Sequence, residues 1–258
     1  GKVVFIERTV PGDLVDVFLF KNKKDWAEGY PLKYHELSPR RVQPFCKHFG
    51  DCGGCQWQMV PYEEQLRFKQ QQVVDALQRI AKVLMPEISP ILGAKEDKYF
   101  RNKLEYTFGV YRYITEAEFQ KQKAPLPPEG GFLVSELTND ITDFEDSKVP
   151  PLGGFREASS GGGGAAGFHA KGLFDKIVDI ETCYLQPEPS NRVREAIRDY
   201  AIANQLSFYD VRHHTGFIRN VQLRTCSTGE VMVNVIVGEN DPEKIKQLLS
   251  HLEQTVAG

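Results

Sequence analysis

Residues 46–55 read Cys46-Lys47-His48-Phe49-Gly50-Asp51-Cys52-Gly53-Gly54-Cys55, which puts three of the chain's five cysteines inside ten positions. Thiolates bind soft or borderline metals, so a Cys-x5-Cys-x2-Cys run points to a metal or redox centre. Gly53 and Gly54 allow the backbone to curl so that neighbouring sulfurs converge. Three thiols are one short of a closed tetrahedral zinc site, and one short of the four sulfurs an iron–sulfur cubane takes. The candidates for the fourth ligand are Cys183, Cys226 and His48. Cys183 is favoured, because it follows the apolar run Ile177–Ile180 and precedes Pro187, as at a chain reversal closing a strand. Cys226 sits beside a hairpin turn. Spacing does not separate zinc from iron–sulfur, and three unligated buried thiols are the plain alternative.

Five cysteines in 258 residues are too sparse, and odd in number, for a disulfide scaffold, so a reducing, cytoplasmic setting is expected. With 41% hydrophobic and 26% charged residues the chain has ordinary globular composition, which excludes wholesale disorder and collagen-like repeats. No apolar run approaches the length of a membrane span, and Gly1–Ile6 lacks signal-peptide anatomy, so no membrane is expected as a partner. The net charge of -3 argues against a protein that simply coats polyanions. Part of that charge is local: residues 111–166 hold five basic and nine acidic residues, leaving 27 basic and 26 acidic elsewhere. This stretch, with five prolines and the run Ser159–Ala166, reads as a flexible insertion. Its glycines lack both the GK[ST] ending and the GxGxxG order of a phosphate cradle.

Working outward from the cysteines, residues 1–45 read as all-β. Apolar runs at 3–6, 14–20 and 27–35 are separated by Pro11-Gly12-Asp13 and by Lys21–Lys24, suggesting a small OB-like barrel. A helix is expected over Glu63–Leu84, with Leu66, Val73, Leu77, Ile80 and Leu84 as its stripe, between Pro61 and Pro86. Residues 99–110 and 173–180 read as strands, and 191–205 as a helix capped by Ser190 with Val193, Ile197, Tyr200 and Ala201 inward. Strands at 217–225 and 230–237 flank the turn Ser227-Thr228-Gly229. Asp241-Pro242 opens a last helix with Ile245, Leu248, Leu249 and Leu252 as its stripe. The predicted class is α+β: a barrel over residues 1–45 followed by an α+β domain over 46–258 that holds the cysteine site.

Gly1–Phe49 resembles the TRAM domain, a small RNA-binding β-barrel. The string Ser38-Pro39-Arg40-Arg41-Val42-Gln43-Pro44-Phe45-Cys46, with Phe49-Gly50-Asp51-Cys52-Gly53-Gly54-Cys55-Gln56-Trp57-Gln58, resembles the domain junction of the iron–sulfur RNA uracil-5 methyltransferases. Tyr62-x-x-Gln65-Leu66-x-x-Lys69, Arg101-Asn102-Lys103, Gly167-Phe168-His169 and the approach to Cys183 fit the same family. The resemblance implies a 4Fe-4S cluster on Cys46, Cys52, Cys55 and Cys183. It also implies a role in methylating uridine of ribosomal or transfer RNA, with 23S rRNA the favoured substrate.

Members of that family continue into a C-terminal domain that binds S-adenosylmethionine and supplies a nucleophilic cysteine and a glutamate base. A thiolate adding to C6 of uracil makes C5 nucleophilic, and the base then removes the C5 proton. This sequence shows no motif of that domain, and Cys226-Ser227-Thr228 does not match the nucleophile. The expectation is an RNA-binding and cluster portion that is inactive alone and has no obligate protein partner. Lys23, Lys24, Arg40, Arg41, Arg101 and Lys103 are the candidate phosphate contacts, and Tyr99, Phe100 and Phe168 the candidate stacking rings. The competing expectation is a stand-alone RNA-binding protein with a structural zinc held by four cysteines.

Overall fold

The computed structural model of the chain describes residues 1–115, 118–119 and 164–256. The first unit is a sheet of β1 (Val3–Ile6), β2 (Leu14–Asn22) and β3 (Trp26–Glu36) in the order β1-β3-β2. Central β3 runs parallel to β1 and antiparallel to β2. The three expected strands are present. They form an open sheet with two edges rather than a closed barrel, and leave Phe5, Phe20 and Leu32 exposed.

The turn between β1 and β2 ties this sheet to the chain leading into the cysteines. Gly12 takes φ +101°, a conformation that favours glycine, and brings Asp13 round to accept from Val10 N–H at 2.6 Å and Ser38 N–H at 2.8 Å. Arg41 then closes on the same carboxylate through Nε at 2.8 Å and Nη2 at 2.6 Å, a bidentate pair almost sealed from water on the Asp13 side. Burial opposes the charge on Asp13. The Arg41 guanidinium and the two backbone amides outweigh it and hold the carboxyl down at about 2, from an ordinary 3.8.

Beyond the cysteine loop, α1 (Tyr62–Asp75) continues as a single π turn over Ala76–Ala81. Lys82 then turns left-handed, with Val83 N–H donating to Leu77 O, so the helix stops three residues short of the expected Leu84. No residue of α1 or of its π turn is buried, and Val73, Ile80 and Leu84 of the expected stripe are exposed. The helix lies at the surface, fastened by Tyr62 Oη to Ala94 N–H and by Gln70 to Ser89 and Ile91.

The main core belongs to a five-stranded antiparallel sheet, ordered β6-β5-β4-β7-β8. Its strands are β4 (Lys103–Gly109), β5 (Ala165–His169), β6 (Ile177–Asp179), β7 (Ile218–Thr225) and β8 (Val231–Val237). Alternate residues Leu104, Tyr106 and Phe108 of β4 are buried, as are Val221 and Leu223 of β7, and each large apolar side chain so buried contributes roughly 1.5–3 kcal/mol. Helices α2 (Ser190–Ala203) and α3 (Pro242–Val256) complete the α+β layer. Val193, Ile197 and Ala201 of α2 face inward as expected, and Arg194 unexpectedly joins them. In α3, Leu248 and Leu252 are buried but Leu249 is exposed. Asp241 caps α3 by accepting from Lys244 N–H at 3.1 Å.

The expected insertion over 111–166 begins and ends inside this sheet. Tyr113 N–H donates to Ile177 O at 2.7 Å, and Ala165 and Ala166 are fully buried strand residues. Residues 116–117 and 120–163, which carry the rest of that expectation, lie outside the described residues.

The Asp13–Arg41 clamp yields a test. Holding a carboxyl from 3.8 down to about 2 corresponds to about 2 kcal/mol of stability. Because the folded-state value is the lower one, that stability is complete above the unfolded value and is lost as pH falls through 3.8 toward 2. Asp13→Asn should therefore lower the urea midpoint at pH 7 and lose its effect near pH 2. An equal deficit at both pH values would contradict the assignment.

Candidate metal centre

Cys46, Cys52, Cys55 and Cys183 line one small cavity of about 20 Å³, with Phe49, Phe168 and Ile180 among its apolar walls. Three of the thiols come from the loop before α1. The fourth enters between β6 and α2, from a segment 128 positions beyond Cys55. Cys226 stands apart, exposed at the β7–β8 turn, where Thr228 and Glu230 surround its sulfur.

The loop is strapped to the sheet by backbone pairing. Cys52 bridges Ala170 in antiparallel fashion, with Gly53 N–H donating to His169 O at 3.0 Å and Lys171 N–H to Asp51 O at 3.0 Å. Gly53 is required for space rather than for unusual dihedrals, since a Cβ there would stand 3.0 Å from the His169 carbonyl. Gly54 N–H points at Cys52 Sγ, 3.4 Å away. Gln58 accepts from Cys46 N–H at 3.2 Å and its side chain also bonds the Cys55 thiol, so one amide side chain holds two members of the set.

The fourth thiol is held from α2. Asn191 Oδ1 accepts from Cys183 N–H at 2.8 Å while its Nδ2 donates to Cys183 O at 3.2 Å, satisfying both backbone groups of one residue. Tyr106, buried in β4, places its hydroxyl 3.0 Å from Ser190 Oγ and 3.4 Å from Asn191 Oδ1. Ser190, expected as an N-cap, thus makes no cap bond and supports Tyr106 instead. Two residues upstream, Glu181 N–H donates to His48 Nε2 at 3.1 Å, and its carbonyl accepts from the fully buried Arg194 at 2.7 Å. Lys47 pairs with the Glu181 carboxylate.

These contacts bear on the ligand choices left open by spacing. His48 Nε2 is already occupied as an acceptor, and burial together with the Lys47 charge pushes its pKa down, favouring the neutral ring. Burial drives the Cys52 thiol up to about 12 and raises Cys55 and Cys183, with neighbouring cysteines adding to the shift. Thiolates of Cys52, Cys55 and Cys183 would repel one another, so a cation that replaces the protons favours their ionisation. Among the described residues no group of three or more His, Cys, Asp and Glu side chains is disposed to hold a metal ion.

The candidate RNA contacts divide by environment. Lys23 and Lys24 are exposed at the β2–β3 tip. Arg40 pairs with Glu64 at 3.3 Å, and Arg41 is committed to Asp13. Arg101 is exposed beside the cysteine loop, and Lys103 is exposed on β4 opposite Arg224. Phe168 lines the thiol cavity and packs on Tyr106 at 5.1 Å, so its ring is built into the site. Of the supports, Gln58 ends the string that carries the family resemblance, while Asn191, Tyr106 and Arg194 carry no motif; Asn191 is signalled only by its position at the first turn after Pro187-Glu188-Pro189.

The fold is shared with part of a larger solved structure. A crystal structure of Pyrococcus abyssi tRNA (uracil-54, C5)-methyltransferase in complex with S-adenosyl-L-homocysteine superposes with a TM-score of 0.55 at 21% identity, covering 95% of this chain and 44% of that one. Sequence relatives are more specific. Proteins named uncharacterized RNA methyltransferases from Bacteroides thetaiotaomicron and Porphyromonas gingivalis are 42% and 36% identical, over 97% and 96% of this chain. One from Chlorobaculum tepidum is 33% identical over 94%. The chain is thus similar throughout to RNA methyltransferases and spans about half the length of these relatives, 48%, 47% and 44%. No protein-family model matches it. No described helix is long and apolar enough to cross a membrane.

Thiol chemistry separates the site from its surroundings. In metal-free protein at pH 8, Cys226, exposed and favoured as thiolate by Thr228, should alkylate first, and Cys52 last. Asn191→Ala strands two buried backbone groups, at a cost of about 1–3 kcal/mol each. It should speed labelling of Cys183 without changing that of Cys226. Mass spectrometry of timed alkylation reads both, and unchanged Cys183 kinetics would contradict the clamp.

Proposed function

We propose that this chain is the RNA-binding and cluster-bearing part of an S-adenosylmethionine-dependent RNA uracil-5 methyltransferase. The observation that carries the reading is the clustered Cys46, Cys52 and Cys55 and the remote Cys183 lining one cavity in a chain similar to RNA methyltransferases over nearly its whole length. Under this reading Cys46, Cys52, Cys55 and Cys183 hold a 4Fe-4S cluster. A cubane takes four thiolates, one for each iron, and these are the four cysteines that share the cavity. Bound there, the cluster supplies a charged inorganic crosslink between the loop and the β6 end.

The protein's own residues do the positioning. Asn191 fixes the Cys183 backbone, Gln58 aligns Cys46 and Cys55, and the Gly53 strap holds the loop on β5. In this reading the exposed Lys23, Lys24, Arg40, Arg101 and Lys103 meet phosphates, whose contacts fix register without reading sequence. The relatives are about twice as long as this chain, and in this reading the methyl-transfer chemistry resides in the sequence they have beyond it. The reading also places the protein in the cytoplasm, where thiols stay reduced, with 23S rRNA the first substrate to test.

Anaerobically isolated protein should be brown, with broad visible absorption and about four irons per chain. Serine in place of any one of Cys46, Cys52, Cys55 or Cys183 should abolish the colour, while Cys226→Ser should keep it. A colourless protein containing one zinc would favour the stand-alone RNA-binding alternative. The chain alone, given S-adenosylmethionine and 23S rRNA, should yield no 5-methyluridine, and turnover would overturn that division of labour.

A further inference from the structure

A groove of about 850 Å³ opens beside the thiol cavity and shares Gly54, Cys55, Gln58 and Leu185 with its walls. One wall is the start of α1 and the other is the segment leading into β4. The two are fastened together by Tyr62 Oη accepting from Ala94 N–H at 2.7 Å.

Phe100 lines this groove and is 58% exposed, yet its backbone is fixed on both sides. Tyr99 N–H donates to Tyr184 O at 2.7 Å and Arg101 N–H to Leu185 O at 2.8 Å. Tyr99 takes φ +55°, a conformation unusual for an aromatic residue and one that persists where the surroundings enforce it. The result is a large apolar ring presented to solvent from a rigid, locally strained mount. Phe45, on the same groove, is held edge-on by Tyr184 at 5.4 Å with Lys98 Nζ 4.5 Å over its face. Exposed amides of Gln43, Gln56 and Gln72 line the groove, with the cations of Arg101 and Lys69. Carboxylates of Glu63, Glu96 and Asp97 line it too, and they suit amino groups on base edges while repelling phosphate.

Aromatic platforms, side-chain amides and a few cations are the chemistry that receives unstacked bases, whereas a duplex hides its bases from such rings. We propose that this groove binds single-stranded RNA, with Phe100 as a stacking platform for a base and Arg101 on the adjoining backbone. The inference rests on the RNA-binding reading above and adds to it a location and a strand state.

The test uses the full chain, isolated anaerobically, and a fluorescein-labelled ribo-oligomer of about ten nucleotides, single-stranded or annealed to its complement. Anisotropy at fixed salt should show the single strand bound and the duplex bound more weakly. Phe100→Ala should weaken single-strand binding about tenfold. Phe100→Tyr, which keeps the ring, and Phe174→Ala, an exposed phenylalanine that does not line the groove, should match the parent. Arg101→Gln should reduce the salt dependence by about one phosphate contact. Phe100→Ala binding like the parent, or a duplex binding as tightly as the single strand, would overturn the groove assignment and leave RNA binding intact. A parent chain that binds neither form would overturn the RNA reading as well.

Discussion

Four thiols in a dry cavity impose the constraint around which the rest of this protein is organised. Burial makes the thiolates of Cys52, Cys55 and Cys183 costly, and neighbouring thiolates make them costlier, so a cation is what favours their ionisation. Such a site has to be assembled by the polypeptide before its sulfurs attract anything. The structure does so with neutral backbone hydrogen bonds: the Gly53–His169 strap on the loop side and the two bonds from Asn191 on the Cys183 side. Glu181 is treated similarly, its amide bonded to His48 and its carbonyl to Arg194. The strap and the His48 bond join segments far apart in sequence, so the site and the five-stranded sheet form together.

What could be read from the sequence follows the range of the interactions. Asp241-Pro242 opening α3 and the Ser227-Thr228-Gly229 turn are local devices, and both stand where the pattern put them. The cysteine cluster was legible because thiols are rare and closely spaced; Cys183, expected at a strand end, lies four residues past β6 yet lines the same cavity. β5 was hidden inside the Gly/Ala run, since Ala165, Ala166 and Gly167 carry no hydrophobic signal. Space is the reason at Gly167, where a Cβ would strike the Val178 carbonyl at 2.2 Å. The α1 stripe misled in the other direction: its periodicity is helical, but nothing among the described residues buries Val73 or Ile80. Asn191 and Arg194 were silent because a buried polar side chain is chosen by the backbone group it must satisfy, which only the fold reveals.

The thiol cavity and the aromatic groove lie back to back across Gly54 and Cys55. Filling the first cavity stiffens the loop that forms one wall of the second. A metal centre in this position therefore needs no part in the chemistry of methyl transfer to matter for it. Under the proposed reading its contribution would be mechanical, keeping Trp57 and Gln56 at fixed positions relative to Phe100. Such a role would make the protein's grip on nucleic acid depend on the oxidation state and supply of the metal.

β4 and β5 are hydrogen-bonded neighbours although Gly109 and Ala165, which face each other, are separated by the long stretch that enters at Tyr113. The entropy of closing a loop grows only with the logarithm of its length, each doubling costing about 0.6 kcal/mol. With the strand pairing fixed by the sheet and Cys183 fixed by α2, the connection between them is free to lengthen, shorten or change composition without moving a sulfur. Evolution can therefore treat that stretch as an interchangeable attachment point, open to new binding segments while the thiol cavity stays unaltered.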